Sequence, residues 1–489
     1  MLKVLAVFSA LFLGICQNAL AGKDQDSLAP NVVLILVDDL GYGDVCTYGC
    51  RDSKTPHIDS LAREGVKFTQ AYVSAPVCSP SRAGLMTGRY QHRFGHEYNA
   101  GGVARVIKRG LGTPESEVML PARLERLGYR TGMVGKWHLG QLPGQLPTAK
   151  GFQEFFGFLH GSNLYFPTLV GEGIRYEKTA TENYSFRRSE DNPIISGTEP
   201  VEEGEYLTDA FTRESLAFIK KGDDEKPFFL YLAYNAPHTP LQVSQKYYER
   251  FPHITNEKQR IFAAMVSAVD DGVGRLQAQL KSEEITRSTM VLFLSDNGCG
   301  TYTGACFNDP LLGGKVMPFE GGIRIPFLMS WKDVIDEGMV IDEPVSSLDI
   351  LPTVLEAIEG QPVDLPGVDG ESFMPLVTNG KSLGRTFYWK NGDNWAVLEH
   401  PWKLISLNDR YTFLFDLEND VREDVNLAKE KPDQVERLRE KYKQWSFENP
   451  KPLWETKGKG KIHLEAILNR DNPIIPTNED GPGLVEFSI

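Results

Sequence analysis

Positive charge is scarce in this sequence of 489 residues, which has 52 lysines and arginines against 66 acidic residues and a net charge of -14. This balance argues against non-specific binding to nucleic acid, so no nucleic-acid partner is expected, although a locally basic site for a small anion is compatible with it. Internal repeats and low-complexity tracts are also lacking, which argues against a repeat array. The hydrophobic content of 41% and charged content of 24% are those of a globular chain, and its length predicts one large domain with a smaller one.

Long apolar runs are lacking except near the N-terminus. There Lys3 precedes an apolar stretch over 4–15, and Ala19-Leu20-Ala21 matches the small-residue pattern of a cleavage site. The stretch is too short for a comfortable membrane span. We therefore expect residues 1–21 to be a signal peptide that is cleaved after Ala21. The mature protein would then be exported, either periplasmic or secreted, with no membrane partner.

Cysteine is also rare, with six residues in the chain. Cys16 leaves with the expected signal peptide, and export permits disulfides among the others. Two pairs are close enough along the chain to bond: Cys46 with Cys50, and Cys299 with Cys306. Cys78 is left over, and an odd cysteine in an exported protein is an exposed thiol, a functional residue or a buried free thiol. The neighbours of Cys78 in the stretch VCSPSR are not apolar, which disfavours the buried free thiol.

Apolar strands alternate with amphipathic helices over most of the chain before residue 384. This order predicts an α/β fold with a large mixed, mainly parallel sheet flanked by helices. Polar side chains follow the ends of four of these strands, and in open α/β sheets the ligand site lies beyond the carboxyl ends of the strands. The residues expected together at this edge are Asp38, Asp39, Lys136, His138, His238, Asp296 and Asn297.

The character of the sequence changes near residue 384. Segments such as RTFYWKNGDNWAVLEH alternate apolar and polar residues, and Asn391-Gly392 is typical of a hairpin turn. An amphipathic helix is predicted after them, with Val435, Leu438 and Tyr442 on one face. We therefore expect a main domain over residues 22–383 and a smaller C-terminal α+β subdomain over 384–489, which ends in an extended tail.

The acids at the predicted strand ends form a ligand set of oxygen atoms. Asp38 and Asp39 end one strand, and Asp296 and Asn297 end another. Such a set suits a hard cation, calcium or magnesium, better than zinc. An acidic pair alone is a weak signal, because such pairs are common in polar turns.

The stretch CSPSRAGLMTGRY predicts a helix that Ser79 caps, with Pro80 at its first position. Cys78 would then lie just ahead of the helix N-terminus, where backbone N–H groups favour an anion, and Arg82 would reach back from one turn later. This geometry suits a nucleophile that faces a tetrahedral oxyanion. It also suits a redox thiol of low pKa.

The segment C-S-P-S-R, followed by A-G-L-M-T-G-R, resembles the signature of the type I sulfatases. Similar blocks occur in the order of that family: LILVDDLGYGD, GKWHLG, APHTPL, FLSDNG and GGKVMPFEGGIRIP. The block LFDLENDVREDVNLA resembles the family's C-terminal subdomain. One departure is Leu312, where many relatives have an arginine before the GGK block. The resemblance implies an alkaline phosphatase-like fold, a catalytic domain over 22–383 and the activity of a sulfuric ester hydrolase.

In that family the signature cysteine is oxidised after translation to Cα-formylglycine. The resemblance therefore implies a partner during biogenesis, a formylglycine-generating enzyme or an anaerobic maturase. The hydrated aldehyde at position Cys78 would attack sulfur, and its second hydroxyl would then expel sulfate. The resemblance also implies one calcium ion, held by a set of four residues: Asp38, Asp39, Asp296 and Asn297.

The resemblance assigns catalytic roles to further polar residues. Arg82 and His138 would orient the diol and help to deprotonate it. Lys136 and Lys315 would neutralise sulfate oxygens, and His238 would protonate the leaving oxygen.

A sulfated carbohydrate is the expected substrate, because export suits the breakdown of a polymer. Residues expected at a sugar rim, unless they only shape loops, are His96, Glu97, Asn99, His160 and Asn163. A sulfated galactan such as carrageenan is the first expectation, and a glycosaminoglycan or an aryl sulfate is the alternative. A phosphatase or phosphodiesterase is the nearest rival, but such enzymes of the superfamily typically use serine or threonine with two metal ions.

Overall fold

The computed structural model describes residues 29–167, 174–175, 190–222, 226–286, 288–456, 459–463 and 484–488. The expected signal peptide, with Cys16, and most of the expected C-terminal tail lie outside these residues. Within the described ranges, no helix combines the length and the apolar character needed to cross a membrane.

The strands and helices follow one another largely as the sequence predicts. The described strands are β1 (Asn31–Asp38), β2 (Val66–Tyr72), β3 (Arg130–Lys136), β4 (Glu154–Phe158), β5 (Ile174–Arg175), β6 (Ile194–Ser196), β7 (Glu199–Val201), β8 (Phe228–Pro237), β9 (Gln242–Val243), β10 (Thr289–Ser295), β11 (Arg324–Ser330), β12 (Met339–Ile341), β13 (Val345–Ser346), β14 (Thr386–Asn391), β15 (Asn394–Glu399), β16 (Trp402–Leu407), β17 (Tyr411–Asp416), β18 (Lys459–His463) and β19 (Leu484–Ser488). The described α-helices are α1 (Pro56–Arg63), α2 (Cys78–Thr87), α3 (Val103–Arg109), α4 (Leu120–Arg126), α5 (Leu207–Lys220), α6 (Gln245–Tyr248), α7 (Glu257–Ser282), α8 (Glu320–Ile323), α9 (Ile350–Glu359), α10 (Met374–Asn379) and α11 (Pro432–Phe447).

Eleven of the described strands form one mixed sheet in the order β12-β2-β11-β10-β1-β8-β3-β4-β6-β7, with β13 also paired to β2. The centre is parallel, because β1 pairs with β8 and β10, and β3 pairs with β8 and β4. β11 is antiparallel to both β10 and β2. The prediction of a large mixed, mainly parallel sheet is therefore confirmed.

β1 shows why this sheet is buried on both faces. Its residues from Val32 to Val37 are fully buried. Val32, Leu34 and Leu36 belong to one hydrophobic core, and the residues between them belong to a second core on the other face. Side chains alternate between faces along a strand, so an unbroken apolar run is what a sheet covered by helices on both sides requires.

The C-terminal part carries a separate antiparallel sheet, in the order β14-β15-β16-β17. Helix α11 packs on it through buried Val435, Leu438 and Tyr442, the residues predicted to share its apolar face, together with Trp445. The opposite face of the sheet contributes residues such as Trp389 to the core of the large sheet. The predicted α+β subdomain is therefore confirmed as part of the fold, while the boundary at residue 384 stays a prediction.

Both cysteine pairs that the spacing allows are disulfides in the structure. Cys46 bonds to Cys50, and Cys299 bonds to Cys306. Cys78 has no disulfide partner among the described residues.

Candidate active site

The carboxyl ends of the neighbouring strands β1 and β10 carry the predicted acids. Asp38 is the last residue of β1, and Asp39 follows it with a φ of 62°. The Asp39 N–H donates to Asp296 Oδ1 at 3.1 Å, and Asn297 Nδ2 donates to Asp39 Oδ1 at 2.7 Å. These four side chains are buried. The structure therefore brings the predicted ligand set together, at a backbone conformation that is costly for a non-glycine residue and frequent at functional sites.

Two buried lysines face these acids. Lys136 ends β3, and its Nζ donates to Asp38 Oδ2 at 2.6 Å. Lys315 Nζ donates to Asp39 Oδ2 at 2.8 Å. Burial opposes the charge of Lys315, but Asp39 together with further groups of the site outweighs it, so the pKa of Lys315 lies well above its ordinary value. The two ammonium groups place fixed positive charge at the sheet edge, as a site for a small anion requires.

The acidic residues fit a hard cation. Asp38 Oδ1 and Asn297 Oδ1 are buried oxygens for which the described part of the chain supplies no hydrogen-bond partner. A buried oxygen without a partner is costly, and a metal ion would supply that partner. Candidate ligand atoms of Asp38, Asp39, Cys78 and His238 lie within 4.8 Å of one another. The oxygen-rich donor set suits calcium or magnesium.

The carboxyl groups of this set are in different electrostatic environments. Burial would raise the pKa of Asp39, but Lys315 and His238 overcome it and lower the pKa to about 2. Burial and the charge of Asp38 raise the pKa of Asp296 to about 6 against the effect of Arg82. The pKa values of Asp39 and Asp296 are therefore shifted in opposite directions within one ligand set.

Cys78 lies at the N-terminus of α2, although one position differs from the prediction. Val77, in an extended conformation, precedes the helix, and Cys78 is its first residue, so Ser79 is not the N-cap. Cys78 is also only 1% exposed, which corrects the expectation that its polar neighbours would disfavour burial. Burial would raise the pKa of the Cys78 thiol, but Lys136 and Lys315 lower it to about 7. A reactive group at this position faces the lysines and the acids together.

Arg82 lies one turn into α2 and is fully buried. Its Nε donates to Asp296 Oδ2 at 2.9 Å, and its Nη1 donates to the Lys136 carbonyl at 2.9 Å. Its charge survives burial because Asp296 raises the pKa of the guanidinium against the desolvation. Arg82 therefore ties α2 to the ends of β3 and β10.

His138 follows β3 with a φ of 63°, a second left-handed backbone position in the site. Burial and the charge of Lys136 hold the pKa of His138 well below its ordinary value. Its Nδ1 has no hydrogen-bond partner among the described residues. Burial and Lys136 therefore favour the neutral form of the ring.

His238 follows β8, and a hydrogen bond to the backbone fixes which of its ring nitrogens carries a proton. Its Nδ1 lies 2.6 Å from the Thr239 carbonyl and must donate to it. Its Nε2 lies 3.6 Å from Asp39 Oδ2. Burial would lower the pKa of His238, but Asp38 and Asp39 raise it. The Nε2 side of the ring therefore faces the acids and is able to carry a proton.

His96 is buried beside the site and is hydrogen-bonded within the protein. It is fully buried. Its Nε2 lies 2.7 Å from Ser79 Oγ, and its Nδ1 lies 3.1 Å from Thr113 Oγ1. Ser79 Oγ donates to the His138 carbonyl at 2.6 Å. The chain from Thr113 through His96 and Ser79 therefore holds the backbone of His138, and a sugar contact by His96 stays a prediction.

Glu97 and Asn163 are also engaged within the protein. Glu97 accepts from Lys390 Nζ at 2.7 Å and from the Gly392 N–H at 2.9 Å, so it fixes the β14–β15 hairpin. Asn163 is fully buried, and its Nδ2 donates to the Asn192 carbonyl at 3.1 Å. Both side chains are buried and bonded within the protein, and a substrate contact by either stays a prediction.

Asn99 and His160 lie nearer to the catalytic residues. Asn99 Oδ1 accepts from the Ser79 N–H at 3.1 Å and so supplies the side-chain cap that Ser79 was predicted to provide. The His160 ring lies 6.2 Å from the His138 ring, and His160 Nε2 donates to the Gly101 carbonyl at 3.0 Å. A substrate contact by either residue stays a prediction.

Tyr302 was not predicted from the sequence, yet it lies beside the site in the loop closed by Cys299 and Cys306. Its side chain is 62% exposed. The one sequence signal was an aromatic residue inside a short span between two cysteines.

The assembled residues can bind and transform a tetrahedral oxyanion. Two ammonium groups and a cation site would stabilise its charge, and a buried reactive group at the start of α2 would face it. His138 follows β3 and His238 follows β8, and their pKa values are shifted in opposite directions.

Comparisons with known proteins agree with this arrangement. A family profile described as Sulfatase matches residues 30–360, and one described as N-sulphoglucosamine sulphohydrolase, C-terminal, matches 313–447. The chain is 33% identical to N-acetylgalactosamine-6-sulfatase of Homo sapiens over 381 residues, covering 74% of this chain and 69% of that protein.

Solved structures give the same family. The structure of Ps i-CgsB in complex with k-i-k-neocarrahexaose has a TM-score of 0.78 and 35% identity, covering 87% of this chain and 94% of that one. The PsFucS1 sulfatase from Pseudoalteromonas sp. has a TM-score of 0.71 and 28% identity, covering 86% and 90% respectively.

Proposed function

Because the chain belongs to the type I sulfatases of the alkaline phosphatase superfamily and is a sulfuric ester hydrolase, we propose that it releases sulfate from a sulfated carbohydrate, with a carrageenan-type galactan as its substrate. The observation that carries the reaction is the position of Cys78. This residue is buried at the start of α2, and Lys136 and Lys315 lower its pKa. The sequence C-S-P-S-R around it is the family signature.

In this proposal a maturation enzyme oxidises Cys78 to formylglycine, whose hydrated aldehyde supplies the nucleophile. Arg82 holds the ends of β3 and β10 in place around that group. His138 accepts a proton through its unpartnered Nδ1. The ammonium groups of Lys136 and Lys315 bind the sulfate oxygens, where negative charge grows during the reaction.

His238 is assigned the transfer of a proton to the leaving sugar oxygen. Its Nδ1 is occupied by the Thr239 carbonyl, which leaves Nε2 as the donor on the side of the site. A protonated leaving oxygen departs as a hydroxyl instead of an alkoxide, which lowers the barrier for an unactivated sugar.

Calcium is proposed as the metal, held by Asp38, Asp39, Asp296 and Asn297. The unpartnered oxygens of Asp38 and Asn297 support this assignment. When bound, calcium would supply positive charge for the sulfate oxygens. Asn297 Nδ2 and Lys315 Nζ both donate to Asp39, which holds the three side chains together at this edge.

The carbohydrate assignment is supported by the similarity to a sulfatase structure that contains a neocarrahexaose. A glycosaminoglycan is the second candidate, because the chain is also 33% identical to a sulfatase named for N-acetylgalactosamine 6-sulfate. An aryl sulfate is the third.

We also propose that the protein is exported. The apolar stretch and cleavage pattern over 1–21 support a signal peptide. The disulfides Cys46–Cys50 and Cys299–Cys306 support an oxidising compartment. Cys78 would be modified before or during export by the maturation enzyme.

A sulfate-release screen tests this proposal. The matured protein would be incubated with carrageenan oligosaccharides, chondroitin 6-sulfate oligosaccharides, an aryl sulfate and a phosphate monoester, with Cys78→Ala as the control. We expect the fastest release from carrageenan and none from the control variant. Release from the aryl sulfate alone would contradict a carbohydrate substrate, and faster turnover of the phosphate ester would contradict the reaction.

A further inference from the structure

Tyr302 is an exposed aromatic residue on a constrained loop. It lies in the short helical turn Thr301–Thr303, between the disulfide-bonded Cys299 and Cys306. Its side chain is 62% exposed, although large aromatic side chains usually bury most of their surface. A single exposed tyrosine needs no function. Whether Tyr302 contributes to the site therefore depends on its position relative to the reacting groups.

The loop is tied directly to the segment that carries Lys315. The Lys315 N–H donates to the Cys299 carbonyl at 3.0 Å. Gly314 packs so closely that a Cβ there would lie 2.5 Å from the Cys299 oxygen and 3.0 Å from Thr301 Oγ1. The disulfide closes the other end of the loop. Tyr302 is therefore held at a fixed position beside a lysine assigned to the sulfate.

The ring of Tyr302 lies back over Gly300. A Cβ on Gly300 would lie 3.0 Å from Tyr302 Cζ and 3.1 Å from its hydroxyl. Because Gly300 has no side chain, the Tyr302 ring packs against it. Most of the surface of Tyr302 stays open to solvent.

The hydroxyl of Tyr302 belongs to the electrostatic environment of the site. The charges that act on the pKa of Tyr302 are those of the site: Lys315 lowers it, whereas Asp39 and Cys78 raise it. The residue therefore borders the site and is not a remote surface aromatic.

We propose that Tyr302 is a substrate-binding residue, whose exposed ring supports the C–H face of the pyranose that carries the sulfate ester. This inference rests on the proposed carbohydrate sulfatase function. A pyranose presents an apolar face of C–H groups, and a rigid aromatic ring buries such a face at little cost in side-chain entropy. A sulfate held by Lys315 would carry its sugar ring out of the buried site, towards the loop of Tyr302.

Steady-state kinetics on the matured full chain test the proposal. Sulfate release from the carbohydrate that the wild type hydrolyses fastest would be compared in wild type, Tyr302→Ala and Tyr302→Phe. Phe447→Ala is the control, because Phe447 is 92% exposed and ends helix α11. Inhibition by inorganic sulfate would be measured in each variant, because it reports on the sulfate pocket without the sugar.

We expect the KM of Tyr302→Ala to rise about tenfold, the factor expected for loss of one aromatic stacking contact. Tyr302→Phe keeps the ring and should restore most of the affinity, and inhibition by inorganic sulfate should be the same in Tyr302→Ala and wild type. An unchanged KM in Tyr302→Ala would overturn the proposal. Equal losses in the alanine and phenylalanine variants, or weaker sulfate inhibition in Tyr302→Ala, would also overturn it. A matured wild type that releases no sulfate from any carbohydrate would instead refute the proposed function, and this inference with it.

Discussion

Within the described residues, two clusters of buried lysines and acids differ in how completely they are paired. In the first, Lys403 Nζ donates to Glu320 Oε1 at 2.7 Å and to Glu423 Oε1 at 2.8 Å. Glu423 Oε2 accepts the Glu320 N–H at 2.8 Å, and Glu320 Oε2 accepts from the Tyr72 hydroxyl at 2.9 Å. Every carboxylate oxygen in this cluster has a partner.

The second cluster is the site at the ends of β1 and β10. Asp38 Oδ1 and Asn297 Oδ1 have no hydrogen-bond partner, and Asp39 and His138 have left-handed backbones. A free cysteine lies within the same cluster. Complete pairing makes the Lys403 cluster a structural contact between the sheets, whereas incomplete pairing leaves the site with charges and oxygens for a ligand.

The largest expected effect is a loss of the reaction with little change in stability. Cys78→Ala removes the precursor of the proposed nucleophile, so the rate of sulfate release should fall at least about 10⁴-fold, as for other nucleophile deletions. The free energy of unfolding should change by about 1 kcal/mol or less, because the substitution removes one buried atom. Sulfate release and denaturant unfolding measure the two effects. Residual activity near the wild-type level would refute a role for Cys78 in the reaction.

Lys403→Met should have the reverse effect, a large loss of stability with little direct effect on the reaction. It leaves Glu423 buried without its cation, while Glu320 keeps Arg324 Nη1 at 3.2 Å. The loss of the Lys403 charge should cost about 3–5 kcal/mol of stability. Urea unfolding at neutral pH measures this loss, with the exposed Lys332→Met as the matched control. Near-wild-type stability of Lys403→Met would contradict the structural role assigned to this cluster.

Lys136→Met is the corresponding change in the site. It removes one donor to the sulfate oxygens, so kcat should fall roughly 10²–10³-fold. Its stability should fall less than that of Lys403→Met, because Arg82 Nη2 stays 3.7 Å from Asp38 Oδ1 after the substitution. A loss of stability as large as that of Lys403→Met, with activity retained, would erase the distinction between the clusters.

Removal of calcium should cost somewhat less stability than Lys403→Met. A ligand at roughly a hundred times its Kd stabilises the folded state by about 2.7 kcal/mol. Thermal unfolding with a chelator and after return of calcium measures this difference, and Asp296→Asn should reduce it. A melting temperature that does not respond to calcium would contradict the metal assignment.

The fold and the meeting of the site residues could be predicted from the sequence, because both follow from local patterns. The apolar run of β1 and the alternation of strands with helices require a buried, mainly parallel sheet. Residues that end its strands then share one edge, as Asp38, Lys136 and Asp296 do.

The surroundings of the site could not be predicted in the same way. His96, Glu97 and Asn163 are polar residues in polar segments, and only the tertiary structure shows that their partners bury them. The burial of Cys78 also depends on elements distant in sequence. Tyr302 could be recognised as a residue beside the site only from the structure, in which its loop packs on the Lys315 segment.

The central claim is that Cys78 is the precursor of an aldehyde that starts sulfate release. Mass spectrometry of the peptide that carries position 78, taken from fully active protein, tests it most directly. The account predicts a mass in which an aldehyde replaces the thiol, with specific activity in proportion to the converted fraction. An unmodified thiol in fully active protein would contradict the account.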